Sequence, residues 1–275
     1  MLDLNGTAYR VCYLDTNAIS EMLKHPERER RRFFEIAFSG HGMSQVPAFS
    51  LYSVMEIRQR PGLYEAFLKL FEVVPCIVLK NHEELLSDEM AAYPNPSSVD
   101  MVSVVFGGFA MAPERRLNYL LERVFATPVV QKKEAEWLAG RASVVRGIGS
   151  LVKNYPPERG EYSVREIRFF LEAAGFQQVA FRSRTFAKGF VGSGTPLQID
   201  AFPSLKMMLF TVFYKFYAEK RRPSISDAFD LVISAPTPYV DTIITENHQA
   251  EVIRKIKRLD RFLDHVEVLT LRDLR

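Results

Sequence analysis

The sequence has few cysteines, little excess charge and no apolar run long enough to cross a bilayer. Its two cysteines, Cys12 and Cys76, are too few for a disulfide framework and fall in predicted strands, so we expect buried thiols in a reducing compartment. The longest apolar stretches, MVSVVFGGFAMA and MMLFTVFYKFY, fall short of the roughly 20 residues that a membrane-spanning helix needs. The first ten residues, MLDLNGTAYR, lack the basic and apolar regions of a secretory signal. We therefore expect a cytoplasmic protein with no membrane partner.

The charge balance excludes a strongly basic or acidic protein. The chain has 36 Lys and Arg against 33 Asp and Glu, a net charge of +3, so any basic surface for nucleic acid must be local. Hydrophobic residues make up 47% and charged residues 25% of the 275 positions, as in ordinary globular proteins. This length allows one large domain or two small ones.

Zinc sites and phosphate-binding loops have little support in the sequence. The five histidines are scattered, and no pair has zinc-ligand spacing; they are His25, His41, His82, His248 and His265. His248 follows Asn247, a candidate site residue, and is kept as a marginal substrate contact. Gly147-Ile148-Gly149 and Gly192-Ser193-Gly194 lack the lysine and the spacing of a phosphate loop, so both are predicted to be turns.

Strands and helices alternate at both ends of the chain. Residues 1–80 are predicted to form strand, helix, helix, strand, helix, strand, and residues 204–275 to form helix, helix, strand, helix, strand. This pattern indicates an α/β fold. Residues 81–203 are predicted to be a mainly helical insertion, in which one helix ends at Gly175. The predicted domains are therefore a discontinuous α/β domain, 1–80 with 204–275, and the insertion.

Acidic side chains recur near the predicted strand ends. In YLDTNAISEML, Asp15 follows a buried strand and precedes a helix, which suits either a helix cap or a ligand site at the carboxyl end of a strand. Clustered carboxylates are costly unless a cation neutralises them, and Mg²⁺ prefers oxygen ligands. The other candidates for such a cluster are Glu56, Asp227, Asp230, Glu246 and Asn247.

Four segments, taken in order, are similar to the motifs of the PIN-domain nucleases: VCYLDTNAISEML, SVMEIRQRP, DLVISA and IITEN. The resemblance covers roughly residues 9–80 and 204–272, and the DTN and D-x-x-I-x-A pieces are its most specific parts. It implies a three-layer α/β/α domain around a central parallel sheet. It also implies an endoribonuclease that cuts single-stranded RNA with one or two Mg²⁺ or Mn²⁺ ions. The matching catalytic positions are Asp15, Glu56, Asp230 and Asn247.

Two of these positions stay open within the resemblance. Asp227 precedes Asp230 by one helical turn, so either could face the metal, and Glu246 could supply the oxygen in place of Asn247. The candidate metal ligands are therefore Asp15, Glu56, Asp227, Asp230 and Glu246. Asp241, at the start of its strand, would lie at the opposite end of the sheet and is left outside the site.

Candidate substrate contacts include both motif residues and basic residues. Arg182, Arg184 and Lys188 alternate with Phe181, Phe186 and Phe190 in AFRSRTFAKGF, a pattern that suits stacking of single-stranded bases. Solvated faces and core aromatics are the competing interpretation of this segment. The full set of candidate substrate contacts is Asn17, Thr245, Arg58, Arg182, Arg184 and Lys188.

Other functions stay open at this stage. A PIN-like scaffold without catalysis would bind RNA or protein, and a metal-dependent DNA nuclease would prefer single strands or flaps. A toxin is a further alternative, but no antitoxin partner can be inferred from one chain. The inserted block could serve as a lid, as a substrate selector or as the surface of a homodimer.

Overall fold

The computed structural model describes residues 2–4, 6–24, 27–37, 45–95, 99–106, 112, 116–154, 162–194 and 196–273. His25 and His41 lie outside these residues. Within the described ranges, no helix is long and apolar enough to cross a membrane.

The described residues form seven strands and twelve α-helices around one central sheet. The strands are β1 (Leu2–Leu4), β2 (Thr7–Leu14), β3 (Gln45–Ser50), β4 (Cys76–Leu79), β5 (Val102–Phe106), β6 (Thr242–Thr245) and β7 (Glu267–Thr270). The helices are α1 (Thr16–Lys24), α2 (Arg28–Ala37), α3 (Leu51–Arg58), α4 (Pro61–Val73), α5 (His82–Ala92), α6 (Leu117–Ala126), α7 (Pro128–Asn154), α8 (Val164–Arg182), α9 (Arg184–Ser193), α10 (Pro203–Val212), α11 (Ile225–Ser234) and α12 (Asn247–Leu259).

The sheet is mostly parallel, and its strand order places β2 and β6 side by side near the centre. The order is β5-β4-β3-β2-β6-β7, with β1 paired to β2 outside this path. Strands β4, β3, β2, β6 and β7 are parallel to their neighbours in that run, whereas β1 and β5 pair antiparallel. The predicted α/β class, a mostly parallel sheet flanked by helices in a three-layer arrangement, is confirmed.

The chain first builds the sheet outward from β2 through β3 and β4, then returns to add β6 and β7 on the other side of β2. The point between β2 and β6 is therefore a topological switch point. Ligands of open α/β sheets bind in the crevice that such a switch leaves outside the carboxyl ends of the strands.

The central strands are buried on both faces. Residues 11–14 of β2 have 0% exposure, and every residue of β3, β4 and β6 is buried. Strands covered by helices on both sides have continuous apolar sequences instead of alternating ones. This explains why VCYL and CIVL are apolar throughout.

Two sequence predictions about glycine are wrong, and a third holds only at Gly194. The helix that contains Gly175 continues to Arg182, and a Cβ at Gly175 would meet Ile199 Cδ1 at 2.6 Å, so this glycine permits close packing. Gly147-Ile148-Gly149 lies inside α7, with open space beside both glycines. The segment before Gly194 is the end of helix α9, and only Gly194 itself adopts the left-handed conformation, at φ +65°.

The block 81–203 shares the sheet and the core with the rest of the chain. Its strand β5 pairs with β4, a pairing that the sequence did not predict. Glu89 of α5 is 0% exposed and accepts hydrogen bonds from the Ser204 backbone N at 2.6 Å, the Ser204 hydroxyl at 2.8 Å and the Tyr239 hydroxyl at 2.6 Å. These bonds join α5 to the start of α10 and to the turn that precedes β6.

Candidate functional site

A small cavity lies at the carboxyl ends of β2 and β6, at the switch point of the sheet. Its volume is about 20 Å³, enough for one water molecule or one small ion, since a water needs roughly 10–15 Å³. Four carboxylates from four separate segments line it, and we call it the carboxylate cavity: Asp15, Glu56, Asp230 and Glu246. Asn17 and Thr245 also line it, so six predicted site residues meet here.

Asp15 is both a helix cap and a cavity residue. Its Oδ1 accepts a hydrogen bond from the Ala18 backbone N at 2.7 Å, which caps α1, and its Oδ2 accepts one from the Thr245 hydroxyl. Asp15 is only 8% exposed. Burial raises the pKa of Asp15 to about 7, and the neighbouring carboxylates of Glu246 and Asp230 contribute to the rise. The two interpretations of this residue are therefore compatible.

Glu56 reaches the cavity because α3 begins directly at the end of β3. Ser50, the last residue of β3, caps α3 by accepting a hydrogen bond from the Ser53 backbone N at 3.1 Å. No linker separates β3 from α3, so the second turn of α3, which carries Glu56, lies close to the carboxyl end of β3. Burial raises the pKa of Glu56, and the Asp230 carboxylate adds to this effect.

The structure distinguishes Asp230 from Asp227. Asp227 accepts hydrogen bonds from the Ser224 backbone N at 2.7 Å and from Arg221 Nη2 at 2.6 Å, and it forms the capping box of α11 with Ser224. Asp230 lies one turn later, lines the cavity and pairs with Lys215 Nζ at 3.0 Å. Asp227 thus stabilises the helix start, and Asp230 belongs to the cavity.

Lys215 is a buried cation that the sequence analysis missed. Its side chain is 1% exposed, and its ammonium group donates a hydrogen bond to Asp230 Oδ2 at 3.0 Å. It lies in a π-helical segment, Phe213–Ala218, that continues α10, and such segments are frequent at functional sites. A single lysine within the apolar run MMLFTVFYKFY was the signal that could have identified it.

Glu246 lines the cavity, whereas Asn247 does not. Glu246 precedes α12 and accepts a hydrogen bond from Asn17 Nδ2 at 3.3 Å. Asn247 is the exposed first residue of α12. Gln249, which the sequence analysis also missed, lines the cavity and is 7% exposed, and neither atom of its amide has a hydrogen-bond partner in the described part of the chain. Unpaired buried polar groups are uncommon, so the Gln249 amide marks a place for a water or a ligand.

The four predicted basic contacts do not line the carboxylate cavity. Arg58 binds both oxygens of Glu134, at 2.9 and 3.0 Å. Arg182 lies on α8, where it donates a hydrogen bond to a hydroxyl at 3.4 Å, and Arg184 and Lys188 are exposed on α9.

The aromatic residues of AFRSRTFAKGF separate into two groups. Phe181 is 90% exposed, whereas Phe186 and Phe190 pack with Tyr93 at centroid distances of 5.6 and 5.3 Å. Two of the three rings thus belong to the packed interior of the helical block.

Two further polar residues also lie away from the cavity lining. His248 pairs with Glu219 at 2.9 Å. Asp241 accepts a hydrogen bond from the Val11 backbone N, in the middle of β2, at 2.8 Å, and directly precedes β6, at the amino end of that strand, where the sequence analysis expected it.

The oxygen-rich donor set suits a hard divalent cation. In the described ranges, no three His, Cys, Asp or Glu side chains converge as a ready metal site. The carboxylates instead bind protein donors: Ala18 and Thr245 for Asp15, Lys215 for Asp230, and Asn17 for Glu246. Mg²⁺ needs only one or two carboxylates because it keeps several waters. One ion could therefore bind to Asp15 together with Glu56 or Asp230. The free amide of Gln249 could bind a water of that ion.

Comparisons of the chain with protein-family models, with curated proteins and with solved structures found no match. The chemistry of the protein therefore has to be inferred from the residues that line its cavities.

Proposed function

We propose that this protein is a PIN-type, metal-dependent endoribonuclease that hydrolyses phosphodiester bonds of single-stranded RNA. The observation that carries the proposal is the carboxylate cavity at the switch point. Folding brings together acids that are up to 231 positions apart in the sequence, since Asp15 and Glu246 line one cavity of about 20 Å³. Grouping these charges away from water costs free energy, as the raised pKa values of Asp15 and Glu56 indicate. A site for a divalent cation gives this arrangement a function.

The motif order supports the same proposal. The DTN motif follows β2, the lone Glu lies in α3, D-x-x-I-x-A lies in α11 and IITEN ends β6, so all four motifs contribute a residue to one cavity. Within the proposal, Asp15, Glu56 and Asp230 hold one or two ions, and Glu246 supplies the fourth oxygen in place of Asn247. A bound Mg²⁺ or Mn²⁺ would polarise the phosphodiester and lower the pKa of the attacking water.

The remaining cavity residues would position these groups. Thr245 and the Ala18 backbone N fix the two oxygens of Asp15, so the carboxylate enters the reaction already oriented. Lys215 neutralises Asp230 and reduces the repulsion among the acids. The free amide of Gln249 can donate to a substrate oxygen and accept from a water.

The test is cleavage of a labelled single-stranded RNA in Mn²⁺, with EDTA, and with Asp15→Asn. We expect EDTA and the substitution each to reduce cleavage at least ~100-fold, because EDTA removes the cation that would stabilise the charge of the reacting phosphate and the substitution removes a ligand of that cation. Asp241→Asn is the matched control, since it removes a carboxylate at the opposite end of β6. Cleavage that persists in Asp15→Asn would show that the activity comes from another site or another protein. A single-stranded or flap DNA substrate in parallel decides between RNA and DNA.

A second candidate function is a non-catalytic scaffold that binds RNA or protein. The Lys215–Asp230 pair favours it, because an ammonium group already supplies positive charge where a metal would. This candidate predicts that Mn²⁺ leaves the unfolding temperature unchanged and that well-folded protein cuts neither RNA nor DNA.

A further inference from the structure

A second cavity lies between α3 and α7, next to the carboxylate cavity. Its volume is about 240 Å³, just below the roughly 300–1,000 Å³ of sites for drug-sized ligands. Tyr52 and Met55 of α3 form one side, and Val130, Lys133 and Trp137 of α7 contribute to the other. We call it the aromatic cavity. Its size suits one planar ring system.

The walls of the aromatic cavity offer surfaces for stacking. The rings of Tyr52 and Trp137 are in contact, with centroids 4.9 Å apart. Trp137 also packs edge to face against Phe229, with centroids 5.9 Å apart, and Phe229 directly precedes Asp230. Tyr52 precedes Glu56 by four residues of α3, about 6 Å along the helix axis. The aromatic cavity and the carboxylate cavity therefore adjoin through both α3 and α11.

One face of α7 carries cationic and aromatic side chains in alternation, beginning at the aromatic cavity. Lys133, Trp137 and Arg141 are spaced four residues apart, so they follow one another along one face of the helix. The Arg141 guanidinium lies over the Phe229 ring at 5.2 Å. Its charge also reaches Glu56, where it opposes the rise in pKa that burial causes.

The acidic residues near the aromatic cavity have cationic partners of their own. Glu136 pairs with Lys132 at 3.7 Å, and Glu83 pairs with Arg182 at 3.9 Å. Lys133 has no ion pair or hydrogen bond with another described residue and lines the cavity. Tyr52 and Trp137 are mostly buried, but both line the cavity, so Lys133 lies beside aromatic rings that a ligand in the cavity would meet. A cation beside aromatic rings is the combination that binds a single nucleic-acid strand.

We propose that the aromatic cavity binds one unpaired base of a single-stranded RNA by stacking on Trp137, while Lys133 and Arg141 contact the flanking phosphates. The strand then passes along α7 to the carboxylate cavity. This inference rests on the proposed function, because the neighbouring acidic site is what identifies the occupant as a nucleic acid. It assigns to the inserted block the role of substrate selector.

The sequence provides a direct reporter, because Trp137 is the only tryptophan. We would titrate the intact protein with short oligo(U) in EDTA and follow tryptophan fluorescence together with the anisotropy of the labelled RNA. We expect saturable quenching with the same midpoint as the anisotropy. An oligonucleotide of equal length without bases, and a duplex RNA, should leave the fluorescence unchanged.

Variants separate the base contact from the phosphate contacts in the anisotropy assay. Trp137→Ala should weaken binding about tenfold, and Trp137→Phe less, since an aromatic ring remains. Lys133→Ala should weaken binding and lower the salt dependence by about one counterion. Lys69→Ala is the control, because Lys69 is exposed on α4 and pairs with Glu65, and neither residue lines either cavity; this variant should bind as the unmodified protein does.

Binding without quenching, or equal quenching by the base-free strand, would overturn the stacking proposal. Because these measurements use no metal, they are independent of catalysis. Quenching without any cleavage in Mn²⁺ would support this binding site and contradict the nuclease proposal, whereas cleavage without quenching would do the reverse.

Discussion

Asp15 is held in a place that favours its protonated form. The unfolded chain loses this proton near pH 3.8, whereas the folded protein keeps it to about pH 7. Between these values the folded state binds more protons, so the contribution of Asp15 to the free energy of unfolding falls as the pH rises and stays low above pH 7. Glu246 and Asp230 face this carboxyl and increase the effect.

The first prediction follows from the direction of this pH dependence. Asp15→Asn, which is neutral at every pH, should raise the free energy of unfolding by about 2 kcal/mol at pH 8 and change it little at pH 4. Thermal unfolding in EDTA at both pH values measures the difference. Burial also raises the pKa of Glu89 to about 7. Glu89 is present in both proteins, so its contribution to the pH dependence cancels in the comparison. Equal effects at the two pH values would show that Asp15 is ionised normally.

Lys215 carries the second prediction. Lys215→Met leaves the half-buried Asp230 without its cation, and breaking a buried pair on one side costs roughly 3–5 kcal/mol. If a divalent ion binds these carboxylates, Mn²⁺ should restore more stability to Lys215→Met than to the unmodified protein. Differential scanning fluorimetry with and without Mn²⁺ measures this.

Lys206→Met is the matched control for that experiment. Lys206 is also buried, and it pairs with Asp200 at 2.5 Å and Asp260 at 2.6 Å, neither of which lines the carboxylate cavity. Lys206→Met should destabilise the protein, and Mn²⁺ should not restore any of the lost stability. Equal recovery in both variants would place the ion elsewhere.

At the scale of whole elements, the glycines of α7 and α8 give the third prediction. Gly175→Ala in α8 should destabilise by about 1 kcal/mol, because the new Cβ meets the buried Ile199 and strain exceeds the gain in helix propensity. Gly140→Ala in α7, where nothing lies within 4 Å, should stabilise by about 0.5–1 kcal/mol. Urea unfolding of both variants tests the pair, and a stabilised Gly175→Ala would mean that α8 packs less closely.

The elements that the sequence predicted well are those with continuous apolar runs or strong periodicity. VCYL, CIVL and TIIT became β2, β4 and β6 because strands buried on both faces need apolar residues throughout. The prediction at Gly175 was wrong because the role of this glycine depends on Ile199, which is 24 positions later in the sequence but close in space. The strand β5 was missed because its pairing with β4 is a tertiary contact.

Prediction of the carboxylate cavity was limited in the same way, because the cavity also depends on contacts between residues that are distant in the sequence. Local motifs located Asp15, directly after a strand, and Glu56, in the helix that follows a strand, but they favoured Asn247 and gave Glu246 only as its alternative. They could not distinguish Asp227 from Asp230, because the choice depends on which side of α11 meets the sheet. Lys215 and Gln249 carry no motif, and only folding shows that they are buried beside the acids.

At the scale of the whole molecule, the block 81–203 and the remainder depend on each other. Strand β5 extends the sheet, Glu89 holds the start of α10, and Trp137 packs on Phe229 of α11. The sequence suggested a discontinuous domain with an insertion, and these contacts lead us to expect one cooperative unit.

The fourth prediction tests that expectation. Tryptophan fluorescence, which reports only on Trp137 within the block, and far-UV circular dichroism, which reports on the whole chain, should give the same midpoint in urea. Glu89→Gln should move both midpoints together, at a cost of about 1–3 kcal/mol, because an amide NH₂ would replace one acceptor facing the Ser204 and Tyr239 donors. If the block were an autonomous domain, the two signals would separate, and Glu89→Gln would widen their separation instead of shifting one transition. A single shifted transition would mean that the aromatic cavity and the carboxylate cavity form and are lost as one structure.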